Sequence, residues 1–398
     1  MDANSRRDVL LLAGMTTSGL LLSPRGYATA AEPVRGDAEK GHASRKYEVI
    51  VVTGASPGGI GFEIARQLCE QQYSVIPACR SREKSQMTAD ALRAAVDGAS
   101  VYALEGGCDL GSIRGVTAYA EELMNGSGVL SSGRRLRALV NNAGVGWKAA
   151  ENLTEDGLEE QFAVNHLGHF VLTNKIISSL TDRAASMSVP RLRVVNLSSS
   201  AHYAGVTDAA SLVRTGRAEN RPYTRFGAYC DSKLANVLFT KELARRFGGR
   251  VVSAAVHPGI VNTKLIRNVV PEWVMEEKEA HPGRDRTLAK AFGLRSPSEG
   301  AEGAVWLASD NSDDDRIQGR YFNGPDDERV PARAAQSTEL AMRLWAASEV
   351  LVARALGESA PRGSEDVALA ETPAGDSIDM LAPSSGVANL GRMLLTNF

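Results

Sequence analysis

The sequence predicts an α/β fold: a Rossmann-type doubly wound parallel sheet in a single domain, with an extra C-terminal helix. Three observations lead there. From Tyr47 onward, β-like and helical patterns alternate along the chain. The β-like segments are continuous apolar runs, as strands covered on both faces must be. The first of them leads straight into a glycine-rich turn that opens a helix.

Taken in order, Tyr47–Thr53 is the first strand, and Gly61–Gln71 follows with helical spacing. Ser74–Cys79 is a second strand and Glu83–Val96 a second helix. Ser100–Leu104 is a third strand, and Leu136–Val140 a fourth, ending at Asn141. Gln161–Leu180 is helical, Leu192–Leu197 a strand, Tyr229–Phe247 a helix and Val251–Val256 a strand. Ser298–Ala308 is helical and Arg320–Phe322 a short last strand. Thr338–Leu356 is an amphipathic helix, with Leu340, Leu344, Ala347 and Leu351 on one stripe. The organisation expected is a segment 1–30, a linker 31–46, the sheet domain 47–330, a helical extension 331–357, and a tail 358–398. That tail is rich in Ala, Ser, Gly and Pro and is expected to lack a fixed fold.

The bulk composition is plain. The chain has 398 residues, 43% hydrophobic and 23% charged, with a formal net charge of −2 and no basic block. A sizeable core is available, and neither nucleic acid nor an anionic membrane surface is indicated as a partner. Cys69, Cys79, Cys108 and Cys230 are too scattered for a disulfide scaffold or a zinc site, and the histidines lack metal-ligand spacing, so no metal is expected.

The N-terminus departs from this plainness. Arg6-Arg7 precede an uncharged run from Val9 to Leu22, followed by the small-residue site Ala28-Thr29-Ala30. That order reads as a twin-arginine-type export signal, with the bacterial periplasm or a thylakoid lumen as destination and the cytoplasm or plastid stroma as the alternative. The run falls short of the ~20 residues a spanning helix needs, so membrane association is an option rather than a requirement. Homo-oligomerisation is likewise open.

The chemistry concentrates at strand ends. Thr53-Gly54-Ala55-Ser56-Pro57-Gly58-Gly59-Ile60-Gly61 joins the first strand to the first helix, where glycines let a backbone approach a pyrophosphate and the helix N-terminus supplies N–H donors. Gly54, Ser56, Gly59, Ile60 and Gly61 are the candidate contacts. Either Gly58 or Gly59 takes the middle role. The second strand ends Ala78-Cys79-Arg80-Ser81-Arg82, with a cation where an NAD site normally has a carboxylate. Arg80, helped by Arg82 and Lys84, points to NADP. Asn141-Asn142-Ala143-Gly144 ends the fourth strand beside the same crevice.

Ser199, Tyr229 and Lys233 form the central constellation. A free tyrosine has a pKa near 10, and an ammonium four residues on along the same helix face should bring it down. A serine hydroxyl on the neighbouring strand end can hydrogen-bond a substrate oxygen as charge develops there.

In this order the motifs resemble the short-chain dehydrogenase/reductase family, over about Tyr47 to Pro325. Ala228-Tyr229-Cys230-Asp231-Ser232-Lys233-Leu234-Ala235-Asn236, Val164-Asn165-His166-Leu167-Gly168-His169-Phe170, His257-Pro258-Gly259 and Gly319-Arg320-Tyr321-Phe322 resemble the retinol dehydrogenase group and its relative, light-dependent protochlorophyllide reductase. The late helix around Leu344-Trp345 does so too. The resemblance implies that Asn165 holds the water of a proton relay, Ser199 polarises the carbonyl, Tyr229 is the acid/base and Lys233 binds the nicotinamide ribose. It places Asp109 at the adenine, and Pro258, Gly259, Val261 and Thr263 over the nicotinamide amide. It also implies cofactor contacts from Asn142, Ala143 and Gly144. Two departures stand out: one extra residue between Thr53 and Gly61, and Glu105-Gly106-Gly107 inserted before Cys108-Asp109.

The function expected is therefore an NADP(H)-dependent alcohol/carbonyl oxidoreductase. Leu265, Ile266, Val269, Val270, Trp273, Val274 and Met275 suit a lid helix, and Tyr203, Tyr223 and Phe226 the other side of an apolar pocket, which fits a bulky apolar substrate. The competing readings are a catalytically idle NADP-binding scaffold or redox-sensing subunit, and a protochlorophyllide reductase-like enzyme.

Overall fold

The computed structural model describes residues 45–130, 133–148, 150–183, 191–206, 223–261, 263, 294–309 and 312–370. The export segment, the lid stretch after Thr263 and the loop 207–222 lie outside the described residues.

Strand β1 (Glu48–Thr53) leads into helix α1 (Ile60–Glu70), then β2 (Ser74–Ala78), α2 (Arg82–Ala95), α3 (Ile113–Glu121) and β3 (Arg135–Asn141). Helix α4 starts at Glu160–Phe162, passes through a π-helical turn, Ala163–Leu167, and continues as Gly168–Arg183. β4 (Leu192–Leu197), α5 (Arg225–Phe247) and β5 (Val251–Val256) follow. A two-stranded ribbon pairs β6 (Ile260–Val261) with β7 (Leu294–Arg295). The chain closes with α6 (Pro297–Ala308), α7 (Asp314–Ile317), β8 (Arg320–Phe322), β9 (Glu328–Arg329), α8 (Thr338–Leu356) and α9 (Ser364–Leu369).

The main sheet has the order β2-β1-β3-β4-β5-β8-β9, parallel throughout except for the β8–β9 pair. Strands β1, β4 and β5 are buried along their whole length, as strands covered on both faces are. Alternation still sorts the side chains: Val49 and Val51 of β1 pack on one face with α3, α4, α5 and α8, and Ile50 and Val52 on the other with α1, α2 and α6. Helix α8 belongs to the first of these cores through Leu344, Trp345, Ala347 and Leu351, so the C-terminal extension is part of the domain.

Three of the differences from expectation have their cause in named contacts. Ser100–Leu104 forms one bridge, Val101 to Val75, rather than a strand. The backbone N–H groups of Glu105 and Gly106 donate to the Glu122 carboxylate at 2.7 and 2.8 Å, which draws the chain off the sheet edge after Tyr102. Helix α5 begins at Arg225 because the Thr224 hydroxyl accepts the Gly227 N–H at 2.9 Å and caps it there. Helix α9 stands in the stretch after Gly357 that was expected to lack a fixed fold. It packs against α8, with the Ser364 hydroxyl donating to the Glu349 carboxylate at 2.6 Å and Ala368 fully buried.

Candidate active site

The chain runs from β1 outward to β2 and then returns to β3 on the other side of β1. At such a switch point the loops diverge and leave a crevice at the carboxyl ends of the strands. The strand-end motifs singled out in the sequence sit on that edge: Gly54 after β1, Arg80 after β2, Asn142 after β3, Ser199 after β4 and Pro258 after β5.

The glycine turn is locked from below. Gly54 has φ +64°, and a Cβ on it would lie 2.8 Å from Ala143. A Cβ on Gly61 would meet the Asn142 amide at 2.4 Å and the Gly54 carbonyl at 2.5 Å. Both positions need glycine for packing against the β3 loop. Gly58 and Gly59 divide the remaining work. Gly58 is exposed, has φ +80° and faces open space, so backbone conformation alone demands glycine there. Gly59 is the N-cap of α1 and supplies no side-chain cap. Among the described residues the N-cap thus offers no side-chain acceptor to the first-turn N–H groups of α1, the arrangement in which a helix N-terminus receives an anion. The turn fits a dinucleotide pyrophosphate on that ground.

Beneath it lies a relay of hydrogen bonds. The Thr53 hydroxyl accepts the N–H groups of Asn142 (2.9 Å) and Ala143 (3.0 Å) and sits 2.9 Å from His169 Nε2. His169 Nδ1 lies 3.1 Å from the Asn165 carbonyl, which can only accept. Nδ1 thus carries the proton, Nε2 is bare, and Thr53 donates to it. Burial agrees, holding the His169 pKa down at about 4, so the ring is neutral at ordinary pH. The Asn142 side-chain amide completes the lock by donating to the Thr53 carbonyl at 2.7 Å.

Asn165 sits in the π-helical turn of α4, an irregularity that recurs at functional sites. Its amide clamps Val145, accepting that residue's N–H and donating to its carbonyl, both at 2.8 Å, and also donates to the Ser232 hydroxyl at 2.9 Å. The β3 loop is thereby tied to α5.

Tyr229 and Lys233 share α5, and Ser199 faces them from the end of β4. The Ser199 hydroxyl is near enough to the Tyr229 phenol to favour its ionised form. Lys233 Nζ lies 5.6 Å from the centre of the Tyr229 ring, and donates to the Leu197 carbonyl at 3.1 Å. A Cβ on Gly144 would come within 3.5 Å of Nζ and 3.2 Å of Asn165 Oδ1, so the ammonium reaches the loop after β3. One expectation is corrected here. Burial pushes the Tyr229 phenol up rather than down, and the group that pulls it back is Ser199, not Lys233. Burial also acts on Lys233, bringing its pKa down to about 8.

At the far end of the crevice, Arg80 and Asp109 are about half exposed and 3.6 Å apart, while Arg82 pairs with Glu105 at 2.6 Å. The Ser56 hydroxyl rests on Cys79 Sγ at 3.7 Å, joining the glycine turn to the end of β2. Gly259 has φ +87°, and Val261 packs where a Cβ on Gly300 would stand, 2.6 Å away. Thr263 is partly buried.

Sequence reasoning gave no role to Thr53, Gln161 or Trp147, and named His169 only within a motif. Gln161 is fully buried; it accepts the Trp147 N–H at 3.1 Å and donates to the Tyr223 hydroxyl at 3.1 Å. Trp147 lies tilted against Tyr229 with ring centroids 4.9 Å apart. The one signal available was proximity: Trp147 follows Asn141-Asn142-Ala143-Gly144 by three residues.

The chain matches the short chain dehydrogenase family over residues 48–211. It is 37% identical to human retinol dehydrogenase 13 over 331 residues, which span 82% of this chain and 90% of the human protein. It is 36% identical to bovine retinol dehydrogenase 12 over 300 residues, 75% of this chain and 84% of that one. Among solved structures, an uncharacterized protein from Mycobacterium paratuberculosis superposes with a TM-score of 0.53 at 26% identity, covering 79% of this chain and 94% of its own. The chain belongs to the short-chain dehydrogenase family, oxidoreductases of the alcohol/carbonyl pair that bind a nicotinamide cofactor.

Proposed function

We propose that the protein is an NADP(H)-dependent oxidoreductase interconverting an alcohol and a carbonyl on a bulky apolar substrate, with Ser199, Tyr229 and Lys233 as its working residues. The single observation that carries this reading is the convergence of the Ser199 hydroxyl, the Tyr229 phenol and the Lys233 ammonium at one end of the β4–α5 corner. A bound nicotinamide supplies or accepts the hydride. Tyr229, kept protonated at neutral pH by burial, donates its proton to the oxygen of a carbonyl being reduced and recovers it from the alcohol in the reverse direction. Ser199 donates a hydrogen bond to the same oxygen. Lys233 holds a positive charge beside both.

Arg80 supports NADP over NAD, since a guanidinium at this strand end suits a 2′-phosphate. Support for an apolar substrate comes from the retinol dehydrogenase relatives and from the aromatic surface of Trp147 and Phe226 beside Tyr229. The test is turnover of purified protein with NADPH or NADH against retinoid and fatty aldehydes. Reduction of long apolar aldehydes, faster with NADPH, is expected; tight NADPH binding with no reduction would favour a nucleotide-binding scaffold instead. Export through residues 1–30 is part of the same proposal. N-terminal sequencing of native protein should read from Ala31, and a start at Met1 or Asp2 would remove it.

A further inference from the structure

We infer that Trp147 is a specificity-determining wall beside the Tyr229 phenol, selecting terminal aldehydes and primary alcohols over ketones and secondary alcohols. The inference rests on the oxidoreductase reading above and refines its substrate class. The indole lies 4.9 Å from the Tyr229 ring at an interplanar angle of 30°, and 5.4 Å from Phe226 at 25°. A carbonyl oxygen within hydrogen-bond reach of the phenol leaves its carbon about one bond further out, with two substituents splayed apart. The substituent on the side covered by Trp147 therefore meets the indole, where hydrogen is accommodated more readily than a carbon chain.

The wall is also stiff. Trp147 sits in left-handed backbone with φ +62°, a conformation that bulky residues rarely adopt. It is held there by the Gln161 side chain, which accepts the Trp147 N–H at 3.1 Å. Gln161 in turn donates to the Tyr223 hydroxyl at 3.1 Å, and that hydroxyl donates to the Lys148 carbonyl at 3.3 Å. The backbone carrying Trp147 is thus pinned on both sides, and it cannot shift the indole aside without breaking these bonds. Gln161 is a positioning residue in this scheme. The indole N–H is buried and has no partner among the described residues, so only packing and the backbone fix the ring.

The left-handed φ makes the decisive variant benign, because glycine adopts it freely. Trp147→Gly removes the wall without straining the backbone, and Trp147→Phe keeps a flat ring. The probes are decanal and 2-decanone, of equal carbon count, compared as a ratio of kcat/KM with NADPH. Trp147→Gly should shift this ratio toward the ketone by about 10–200-fold, the range an apolar pocket achieves for one small group. Trp147→Phe should hold it within a few-fold. Gln161→Met should shift it part of the way and move the KM for 2-decanone more than kcat, which a merely structural role would not do. An unchanged ratio in Trp147→Gly overturns the inference. If the wild type reduces neither carbonyl, the oxidoreductase reading fails, and the wall is then read by calorimetric binding to the NADP-loaded protein. Ketone binding gained only in Trp147→Gly supports it, and equal ketone binding in both proteins refutes it.

Discussion

Replacing Thr53 with valine would test whether the glycine turn and the loop after β3 are held by one hydroxyl. Valine has nearly the shape of threonine, so the change removes an oxygen and little else. That oxygen accepts two N–H groups, from Asn142 and Ala143, and donates to His169 Nε2. The Asn142 N–H also reaches the Val140 carbonyl at 3.0 Å. Valine therefore leaves the Ala143 N–H and His169 Nε2 without a partner, at about 1–3 kcal/mol each and about 2–6 kcal/mol together before relaxation. Some relaxation of the loop is available because Gly144 is exposed, so about 2–4 kcal/mol is expected. Thr53→Ser keeps every hydrogen bond and loses a methyl group, for about 1 kcal/mol. Urea denaturation at 25 °C and neutral pH separates them. With a slope of about 3 kcal/mol per molar, Thr53→Val should lower the midpoint by about 1 M and Thr53→Ser by about 0.3 M. The valine protein should also bind NADPH more weakly, since the turn it loosens is the proposed pyrophosphate cradle. Equal midpoints for the two variants would refute the hub.

Arg80→Asp should weaken NADPH binding by about 10–100-fold while leaving NADH within a few-fold, the worth of a charge-assisted hydrogen bond; calorimetry on both cofactors checks it. Trp345→Ala should destabilise the fold by about 3–5 kcal/mol, because this buried indole contacts Phe170, Phe239 and Phe247 and carries Arg246 over its face at 4.6 Å. A thermal melt unchanged by that substitution would show the C-terminal helix to be an appendage. Lys233, depressed by burial to about 8, carries its charge below that pH and loses it above. NADPH affinity and kcat/KM should therefore fall as pH rises through 8, and Lys233→Arg should flatten the affinity profile because guanidinium stays charged. The same shift makes the fold gain stability with pH between about 8 and the ordinary lysine value of 10.5, where the unfolded chain binds the proton and the folded chain releases it.

The sheet and the strand-end motifs were legible because burial on both faces leaves a continuous apolar signature, and because a crossover sheet puts successive loops on one edge. Ser100–Leu104 has strand composition yet forms a single bridge; the Glu122 side chain that bends it away stands many residues downstream, beyond the reach of local pattern. Helix α3 was absent from the sequence reading although Ser112 caps it and Ile113, Val116 and Ala120 mark its buried face, a short element between two glycine-rich stretches. The site shows the same division. Tyr229 and Lys233 are one helix turn apart and readable as a pair, whereas their burial is not. The direction of the Tyr229 shift therefore came out opposite to expectation, burial prevailing over the neighbouring charge. Thr53 and His169 meet across 116 positions of chain, and only the fold brings them together.

The central claim is that Tyr229 gives the proton in carbonyl reduction. Its most direct measurement is single-turnover oxidation of bound NADPH by decanal, followed by absorbance, in wild type and Tyr229→Phe. The substitution keeps the ring and its packing against Trp147 but removes the only proton the side chain can donate. Hydride transfer should slow by about 10²–10⁴-fold, or about 3–5 kcal/mol of barrier, while the NADPH dissociation constant stays within a few-fold. Hydride transfer at the wild-type rate in Tyr229→Phe would contradict the assignment.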